Sequence, residues 1–243
     1  MQFDSTFVPY PSIRYPVYAR RGMVCASSPQ ASAAGLEALT RGGNAVDAAV
    51  ATAAALTVVE PTANGIGSDA FALVWIEREK KLYGLNGSGV APGRLTLDAV
   101  KKDHPGADRM PMHGWTPTMV PGAPKAWAAL SGRFGRLPLV KTLSPAIGYA
   151  REGYPASATL ARMWGLAFER YSRLLKGPVF DGWYQTFAPN GAPPRAGEIV
   201  RLLDHAATLE KIAASNAEDF YRGEIADRIV RESDQFGGYF SKD

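Results

Sequence analysis

The sequence predicts an α+β fold in which helices predominate. Two segments in the first third carry this prediction. Ala45–Val59 is almost entirely apolar and long enough for a buried helix, while Phe71–Ile76 is a short, continuous apolar run of the kind found in buried strands. In the second half, Leu, Ile and Ala recur at helical spacing, so most of that half is predicted to be helical. No internal repeat and no long linker divides the chain.

A corner between two helices is predicted at Gly42-Gly43. The first helix is expected over Ala31–Thr40, because glycine takes the positive φ that ends a helix, and Asn44 is a typical N-cap for the next one. That next helix, Ala45–Val59, has Asp47 as its one strongly polar residue, close to the positively polarised amino end. Its seven alanines allow neighbouring backbone to approach closely, so we expect this helix to be buried.

A hairpin is predicted after the buried helix. Glu60-Pro61 ends the helix, and the glycine-rich Asn64–Gly67 forms a tight turn. The apolar run Phe71–Ile76 then favours a strand that is covered on both faces. The two strands of the hairpin are predicted at Ala70–Glu77 and Lys81–Leu85.

The remaining segments are assigned from spacing and composition. Five further helices are predicted at Pro124–Phe134, Leu139–Arg151, Ser157–Arg170, Ala206–Ala214 and Ala217–Glu232. Residues 177–197 combine proline and glycine with large aromatic residues, which is typical of a packed loop. Residues 1–20, rich in Pro and Tyr, are predicted to be an extended segment, and residues 21–243 form the folded portion.

Composition and charge exclude several classes of protein. A formal charge of +4, spread singly along 243 residues, gives no basic stripe for nucleic acid. The longest apolar stretch is shorter than a membrane span and the first residues lack the order of a signal peptide, so we expect a cytoplasmic protein without membrane contact. One cysteine and three dispersed histidines predict neither disulfide nor metal site, and the glycine runs lack the phosphate-binding pattern, so no cofactor is expected.

The segment from Arg41 to Phe71 carries a specific resemblance. It joins an Ala-rich helix ending in V-V-E-P to a G-I-G-S-D-A-F turn that leads into an apolar strand. This order resembles the large subunit of the gamma-glutamyltranspeptidase family. Further matching segments occur in order along most of the chain, among them Val120-Pro121-Gly122-Ala123, Ser144-Pro145-Ala146-Ile147, Glu152-Gly153-Tyr154-Pro155 and Phe220-Tyr221-Arg222-Gly223.

The resemblance implies part of an αββα four-layer sandwich, the fold of N-terminal-nucleophile hydrolases. Such enzymes cut themselves, and the new N-terminal Thr of the small subunit becomes the nucleophile, with its own α-amine as the base. That Thr normally lies in a T-T-H or T-S-H sequence, and this chain contains neither. No catalytic residue is therefore assigned in this chain. We expect a large-subunit portion, incomplete at its C-terminus, whose partner is a small subunit carrying the nucleophile.

The resemblance also indicates where the acyl group binds. In the family, an arginine in the motif R-E-x-A-P pairs with the glutamyl carboxylate, whereas this chain has Ser88 at the arginine position, in Ser88-Gly89-Val90-Ala91-Pro92. Asn86, Ser88 and Gly89 resemble a branch that includes oxamate amidohydrolases and cephalosporin acylases, so we expect them to bind a small amide or acyl substrate. A neutral hydroxyl cannot replace a bidentate charged clamp. Arg94 is the first substitute for the missing arginine.

Several alternatives stay open at this stage. Asn86–Gly89 is equally consistent with a structural glycine-rich bend. Asp69 could orient a substrate amine or could instead satisfy the amides of its own turn. Cys25 is interpreted as a small buried thiol in a strand rather than a nucleophile. The alternative function is an amidohydrolase of small oxo-acid amides such as oxamate, or a non-catalytic scaffold that retains the helices alone.

Overall fold

The computed structural model describes residues 16–242, so the predicted extended segment is described only over residues 16–20, which contain no helix or strand. The helices of the first half are α1 (Pro29–Thr40), α2 (Ala45–Val59), α3 (Leu97–Asp103) and α4 (Ala123–Phe134). Those of the second half are α5 (Leu139–Thr142), α6 (Ser144–Glu152), α7 (Ala158–Leu174), α8 (Asp181–Phe187), α9 (Leu203–Ser215), α10 (Glu218–Arg222) and α11 (Glu224–Gln235). Two antiparallel pairs of strands complete the described part: β1 (Ala70–Ile76) with β2 (Lys81–Gly87), and β3 (Tyr154–Pro155) with β4 (Ile199–Val200).

Helix α2 lies at the centre of the packing, as the sequence predicts. Its N-cap Asn44 accepts hydrogen bonds through Oδ1 from the N–H groups of Val46 and Asp47, at 2.9 and 3.1 Å. The Asp47 carboxylate accepts the Asn44 N–H at 2.8 Å in return, which completes a capping box. Eleven of its fifteen residues are buried, and the helix contacts α1, α4, α5 and α6. The prediction of a buried helix with these bounds is confirmed.

Small residues bring α1 close to α2. A Cβ added at Gly35 would lie 2.3 Å from Thr52 Oγ1 and 3.0 Å from the Ala48 carbonyl oxygen, so this crossing has no room for a side chain at residue 35. The core extends from α2 through α6 to α9, where Leu143, Leu209 and other apolar side chains are fully buried. The alanine-rich sequence therefore sets the spacing of the central helices.

Asp47 also connects α2 to the chain that follows α4. The side chain is fully buried, and its carboxylate accepts the N–H groups of Arg136 and Leu137 at 2.9 and 3.3 Å. Asn44 contributes a further link, since its Nδ2 donates to the Phe134 carbonyl at 2.6 Å. A buried carboxylate is stabilised by such donors, so this polar cluster fixes the end of α4 against the start of α2.

The β1–β2 hairpin has one covered and one exposed face. Its register runs from Ala70 opposite Gly87 to Ile76 opposite Lys81, and Ala70, Ala72 and Val74 pack against the core. On the other face, Phe71, Leu73, Trp75 and Leu82 are exposed by 63, 78, 53 and 56%. We call these four side chains the exposed hairpin face. The prediction of a strand covered on both faces is wrong for the described residues, because α4 and the core cover one face and the large apolar side chains of the other face are exposed.

The second half is largely helical, as predicted, but two of its helices are interrupted. Residues 139–151 form α5 and α6, and Pro145, which lacks an N–H, lies in the first turn of α6. Residues 217–232 form α10 and α11, separated at Gly223. A Cβ at Gly223 would lie 2.2 Å from the Asp219 Oδ1, and this carboxylate accepts the N–H groups of Glu224 and Ile225.

Two helices are absent from the sequence-based assignment. Helix α3 begins at Leu97, and the preceding N-cap residue Thr96 accepts the Ala99 N–H through its Oγ1 at 3.1 Å. Helix α8 lies inside residues 177–197, which were predicted to be a loop. There Trp183 packs against Phe168 and Tyr171 of α7, and these aromatic contacts stabilise a helix despite the flanking glycines and prolines. Across residues 16–242, none of the helices has the length and apolarity needed to cross a membrane.

Candidate functional site

Three chain segments meet at the amino end of α4. The Ser68 carbonyl oxygen accepts the N–H groups of Gly122 and Ala123 at 3.1 and 3.0 Å, and the Val120 N–H donates to the Val90 carbonyl at 2.9 Å. The turn before β1, the segment after β2 and the loop into α4 are thereby joined through backbone hydrogen bonds. This junction holds most of the residues that the sequence singles out for acyl binding.

Glycines allow these segments to cross in direct backbone contact. Gly89 has φ +78°, and a Cβ there would lie 1.9 Å from the Val120 carbonyl oxygen. A Cβ at Gly122 would likewise lie 1.9 Å from the Gly87 carbonyl oxygen. Positive φ and the absence of a side chain are both required at Gly89, so this residue shapes the site rather than contacting a ligand through a side chain.

Asn86 and Ser88 lie at the carboxyl end of β2. Asn86 is opposite Phe71 in the register and uses its Oδ1 to accept the Ser88 N–H at 3.0 Å, which forms a local turn. Ser88 is exposed, and within residues 16–242 its hydroxyl makes only a long 3.4 Å contact with the Gly89 carbonyl. The bend is therefore held by Asn86 and Gly89, while the Ser88 hydroxyl remains available to a ligand.

Asp69 and Ser88 flank the last pair in the hairpin register, Ala70 opposite Gly87: Asp69 immediately precedes Ala70, and Ser88 immediately follows Gly87. The turn before Asp69 is closed by Ser68, whose N–H and Oγ both contact the Gly65 carbonyl, at 3.1 and 2.7 Å. Within residues 16–242 no backbone amide donates to the Asp69 carboxylate. The turn therefore does not depend on this side chain, which is exposed beside the candidate site.

Arg94 is held elsewhere. Its guanidinium pairs with Asp234 of α11 at 2.8 Å and donates to the Phe240 carbonyl. The same C-terminal segment is fixed by Ser233, whose Oγ accepts the Phe240 N–H at 3.1 Å, and by the Tyr239 hydroxyl, which donates to Asp103 at 2.5 Å. The role of Arg94 as a substitute carboxylate ligand stays a prediction, and it would require the guanidinium to leave Asp234.

The junction has no positive side chain of its own. Residues 65–70, 86–90 and 120–123 contain no Lys or Arg, and Asp69 is their one formally charged residue. Lys125, in the first turn of α4, forms an ion pair with Glu218 at 2.7 Å. The hydrogen bond from Lys125 lowers the pKa of the Glu218 carboxyl. These three segments thus offer no cationic side chain that could pair with a carboxylate next to Ser88.

Cys25 differs from its predicted environment. It is exposed and lies in a segment without helix or strand, where it lines a groove of about 610 Å³ beside α2. The prediction of a buried thiol in a strand is therefore wrong for this structure. Within the described range, no three His, Cys, Asp or Glu side chains are grouped so that they could hold a metal ion.

Comparison with known proteins identifies the family. Residues 31–243 match gamma-glutamyltranspeptidase. The chain belongs to this family. It is 35% identical over 228 residues to the glutathione hydrolase-like YwrD proenzyme of Bacillus subtilis, covering 93% of this chain and 42% of that protein. It is 34% identical over 217 residues to the oxamate amidohydrolase proenzyme of Klebsiella pneumoniae, covering 86% of this chain and 39% of that protein.

A solved structure extends the comparison. The cephalosporin acylase from Bacillus halodurans superposes with a TM-score of 0.92 at 54% identity, over all of this chain and 45% of that one. The fold is accordingly α+β and part of the αββα sandwich of N-terminal-nucleophile hydrolases, as predicted. The chain spans less than half the length of these three relatives. The predicted branch, with oxamate amidohydrolases and cephalosporin acylases, is confirmed.

Proposed function

We propose that this chain is the large-subunit part of an autoprocessed amide hydrolase or acyltransferase whose Thr nucleophile lies in sequence outside it. Two of the relatives named above, from Bacillus subtilis and Klebsiella pneumoniae, are called proenzymes, and the chain covers 42 and 39% of them. Those proportions leave room for a catalytic subunit in the remainder. The proposal also places the complete protein in the cytoplasm.

The segment Asn86–Gly89 forms one wall of the acyl pocket in this proposal. The observation that supports it is the exposed Ser88 hydroxyl, which has no close hydrogen-bond partner in the described part of the chain and lies at a junction that contains Asp69 and no Lys or Arg. A γ-glutamyl donor brings a carboxylate that needs a cationic partner. A small acyl group without a carboxylate needs only hydroxyl and amide hydrogen bonds. We therefore propose an uncharged acyl amide as the substrate; oxamate, which itself carries a carboxylate, would need a cationic partner from sequence outside this chain.

The exposed hairpin face is the proposed contact with the rest of the protein. Phe71, Leu73, Trp75 and Leu82 present large apolar side chains to solvent on one side of a two-stranded sheet. Covering such a surface with another apolar layer removes it from water and is therefore favourable. We propose that the subunit carrying the Thr nucleophile forms this layer, which would bring that subunit to the end of β2 where Asn86 and Ser88 lie.

The acyl preference can be tested in the full-length protein. We would compare kcat/KM for γ-glutamyl-p-nitroanilide and for butyryl-p-nitroanilide, whose acyl group is uncharged, before and after Ser88→Arg. The expected result is a rise for the γ-glutamyl donor of about ten- to a hundred-fold, the worth of one charge-assisted hydrogen bond, with no comparable rise for the butyryl substrate. Val90→Arg is the matched control, because it adds the same charge two residues away on an exposed position. A native preference for the γ-glutamyl donor that Ser88→Arg leaves unchanged would refute the proposed role.

The need for a second subunit is tested separately. The purified 243-residue chain is expected to show no turnover of either substrate, because the proposed nucleophile is absent from it. Full-length protein should yield two polypeptides on maturation, the smaller beginning with Thr. Turnover by the isolated chain, at a rate comparable with the full-length protein, would contradict the proposal.

A further inference from the structure

A groove follows helix α11 on the side that faces α8 and α9. Its inner part is a cavity of about 480 Å³ that reaches the Gly65–Gly67 turn, and an adjoining cavity of about 690 Å³ extends toward Trp115. The two cavities share Asp204 and Arg228 among their lining residues. The groove reaches the Gly65–Gly67 turn of the junction described above, but Asn86 and Ser88 of the proposed acyl pocket do not line it.

Two opposite charges line the inner cavity without pairing. Asp204 and Arg228 are its charged residues. Both are exposed, and neither forms an ion pair with any partner in the described range, residues 16–242. The adjoining cavity adds the carboxylates of Asp181 and Glu232. His205 also lines the cavity, and burial lowers its pKa, an effect that the neighbouring Asp204 carboxylate partly opposes. The imidazole is consequently neutral at pH 7, which leaves one guanidinium and one carboxylate as the charges available to a ligand.

The rest of the inner cavity is suited to an apolar group. Phe187, Phe220 and Ile225 lie in its wall. The Phe187 ring packs edge-on against the His205 ring at 5.7 Å, and its backbone carbonyl accepts the Trp164 Nε1–H at 2.9 Å, so this part of the wall is fixed. A concave, mostly apolar site with a few convergent polar groups is the usual form of a small-molecule site.

We propose that this groove binds a free α-amino acid with an apolar side chain. Arg228 would receive the carboxylate, Asp204 the ammonium group, and the wall around Phe187 the side chain. A zwitterion neutralises both unpaired charges at once, whereas a simple anion or cation would leave one of them without a partner. The volume of about 480 Å³ lies within the range of small-molecule sites. This site is additional to the acyl pocket and does not depend on the proposed reaction.

Isothermal titration calorimetry with three probes tests the assignment of each charge. L-phenylalanine carries both charges, N-acetyl-L-phenylalanine lacks the ammonium group, and L-phenylalaninamide lacks the carboxylate. We expect L-phenylalanine to bind at least tenfold more tightly than either derivative. Arg228→Gln should weaken L-phenylalanine by about ten- to a hundred-fold and leave the amide unchanged. Asp204→Asn should weaken L-phenylalanine by a similar factor and leave the N-acetyl derivative unchanged.

Controls separate binding from folding. Arg231→Gln removes an exposed arginine from the same helix that does not line the groove, and it should leave all three affinities unchanged. Arg228→Lys keeps the charge but loses the bidentate geometry, so it should give an intermediate affinity even if Arg228→Gln does not fold. The titrations are made on the chain and on the full-length protein. Absence of saturable binding in the full-length protein, equal affinity for the three probes, or an Arg228→Lys affinity equal to wild type would overturn the proposal.

Discussion

Gly89 provides a sharp test of the backbone crossing at the candidate site. Gly89 and Gly106 have nearly the same φ, +78° and +79°. A Cβ at Gly106 would meet no atom within 4 Å, whereas a Cβ at Gly89 would lie 1.9 Å from the Val120 carbonyl oxygen. The pair Gly89→Ala and Gly106→Ala therefore shares the cost of positive φ and differs in the steric conflict.

The magnitude follows from what must move. Placing an L-residue at positive φ costs roughly 1–2 kcal/mol, and both variants should lose this amount. To relieve the conflict at Gly89, the loop into α4 must shift, which weakens the 2.9 Å bond from the Val120 N–H to the Val90 carbonyl and the 3.1 Å bond from the Gly122 N–H to the Ser68 carbonyl. At about 1 kcal/mol for each bond, Gly89→Ala should lose roughly 2 kcal/mol more stability than Gly106→Ala.

Urea unfolding at micromolar protein concentration, followed by far-UV circular dichroism, measures this difference. We expect a lower midpoint for Gly89→Ala with an unchanged m-value, and a small decrease for Gly106→Ala. In the full-length protein, Gly89→Ala should also lower kcat/KM, because Ser88 is adjacent to the displaced backbone. Equal losses of stability in the two variants would show that the crossing is loose and would refute the reasoning.

Three further predictions concern other parts of the molecule. Asp47→Asn should lower the free energy of unfolding by about 2–4 kcal/mol, since the buried carboxylate accepts three backbone N–H groups. The control Asp98→Asn, on the exposed start of α3, should change it by less than about 0.5 kcal/mol, and the urea midpoints of the two variants measure the difference. Burial lowers the pKa of His205, so the unfolded chain binds this proton at a higher pH than the folded chain does. The contribution of His205 to stability is therefore full above about pH 6.5 and is lost as the pH decreases toward the folded pKa. His205→Gln should show a smaller loss of unfolding free energy between pH 7 and 5 than the wild type. The isolated chain should self-associate through the exposed hairpin face, and Leu73→Lys with Leu82→Lys should reduce its mass in light scattering; a wild-type chain that is already monomeric would argue against this interface.

Local sequence signals account for the elements that were predicted accurately. Helix α2 has the predicted bounds because Asn44 caps its start and Glu60-Pro61 ends it, and both signals act within a few residues. The hairpin was recognised from an apolar run and a short polar turn. Helix α8 was missed for the opposite reason. Glycine and proline around it indicate a loop, and the aromatic contacts of Trp183 with α7 exist only after the chain has folded.

The candidate site likewise has one part that the sequence predicts and another that only the folded structure determines. The sequence by itself identified the family and the segment Asn86–Gly89, because a motif is a local pattern and Ser88 departs from it at one position. Only the tertiary structure decided which neighbours that segment has. Its crossing with Val120 depends on backbone bonds between residues far apart in sequence, and the Arg94 guanidinium binds the Phe240 carbonyl 146 residues away. Which of several remote partners a polar group meets depends on how the helices pack, and no local pattern encodes that packing.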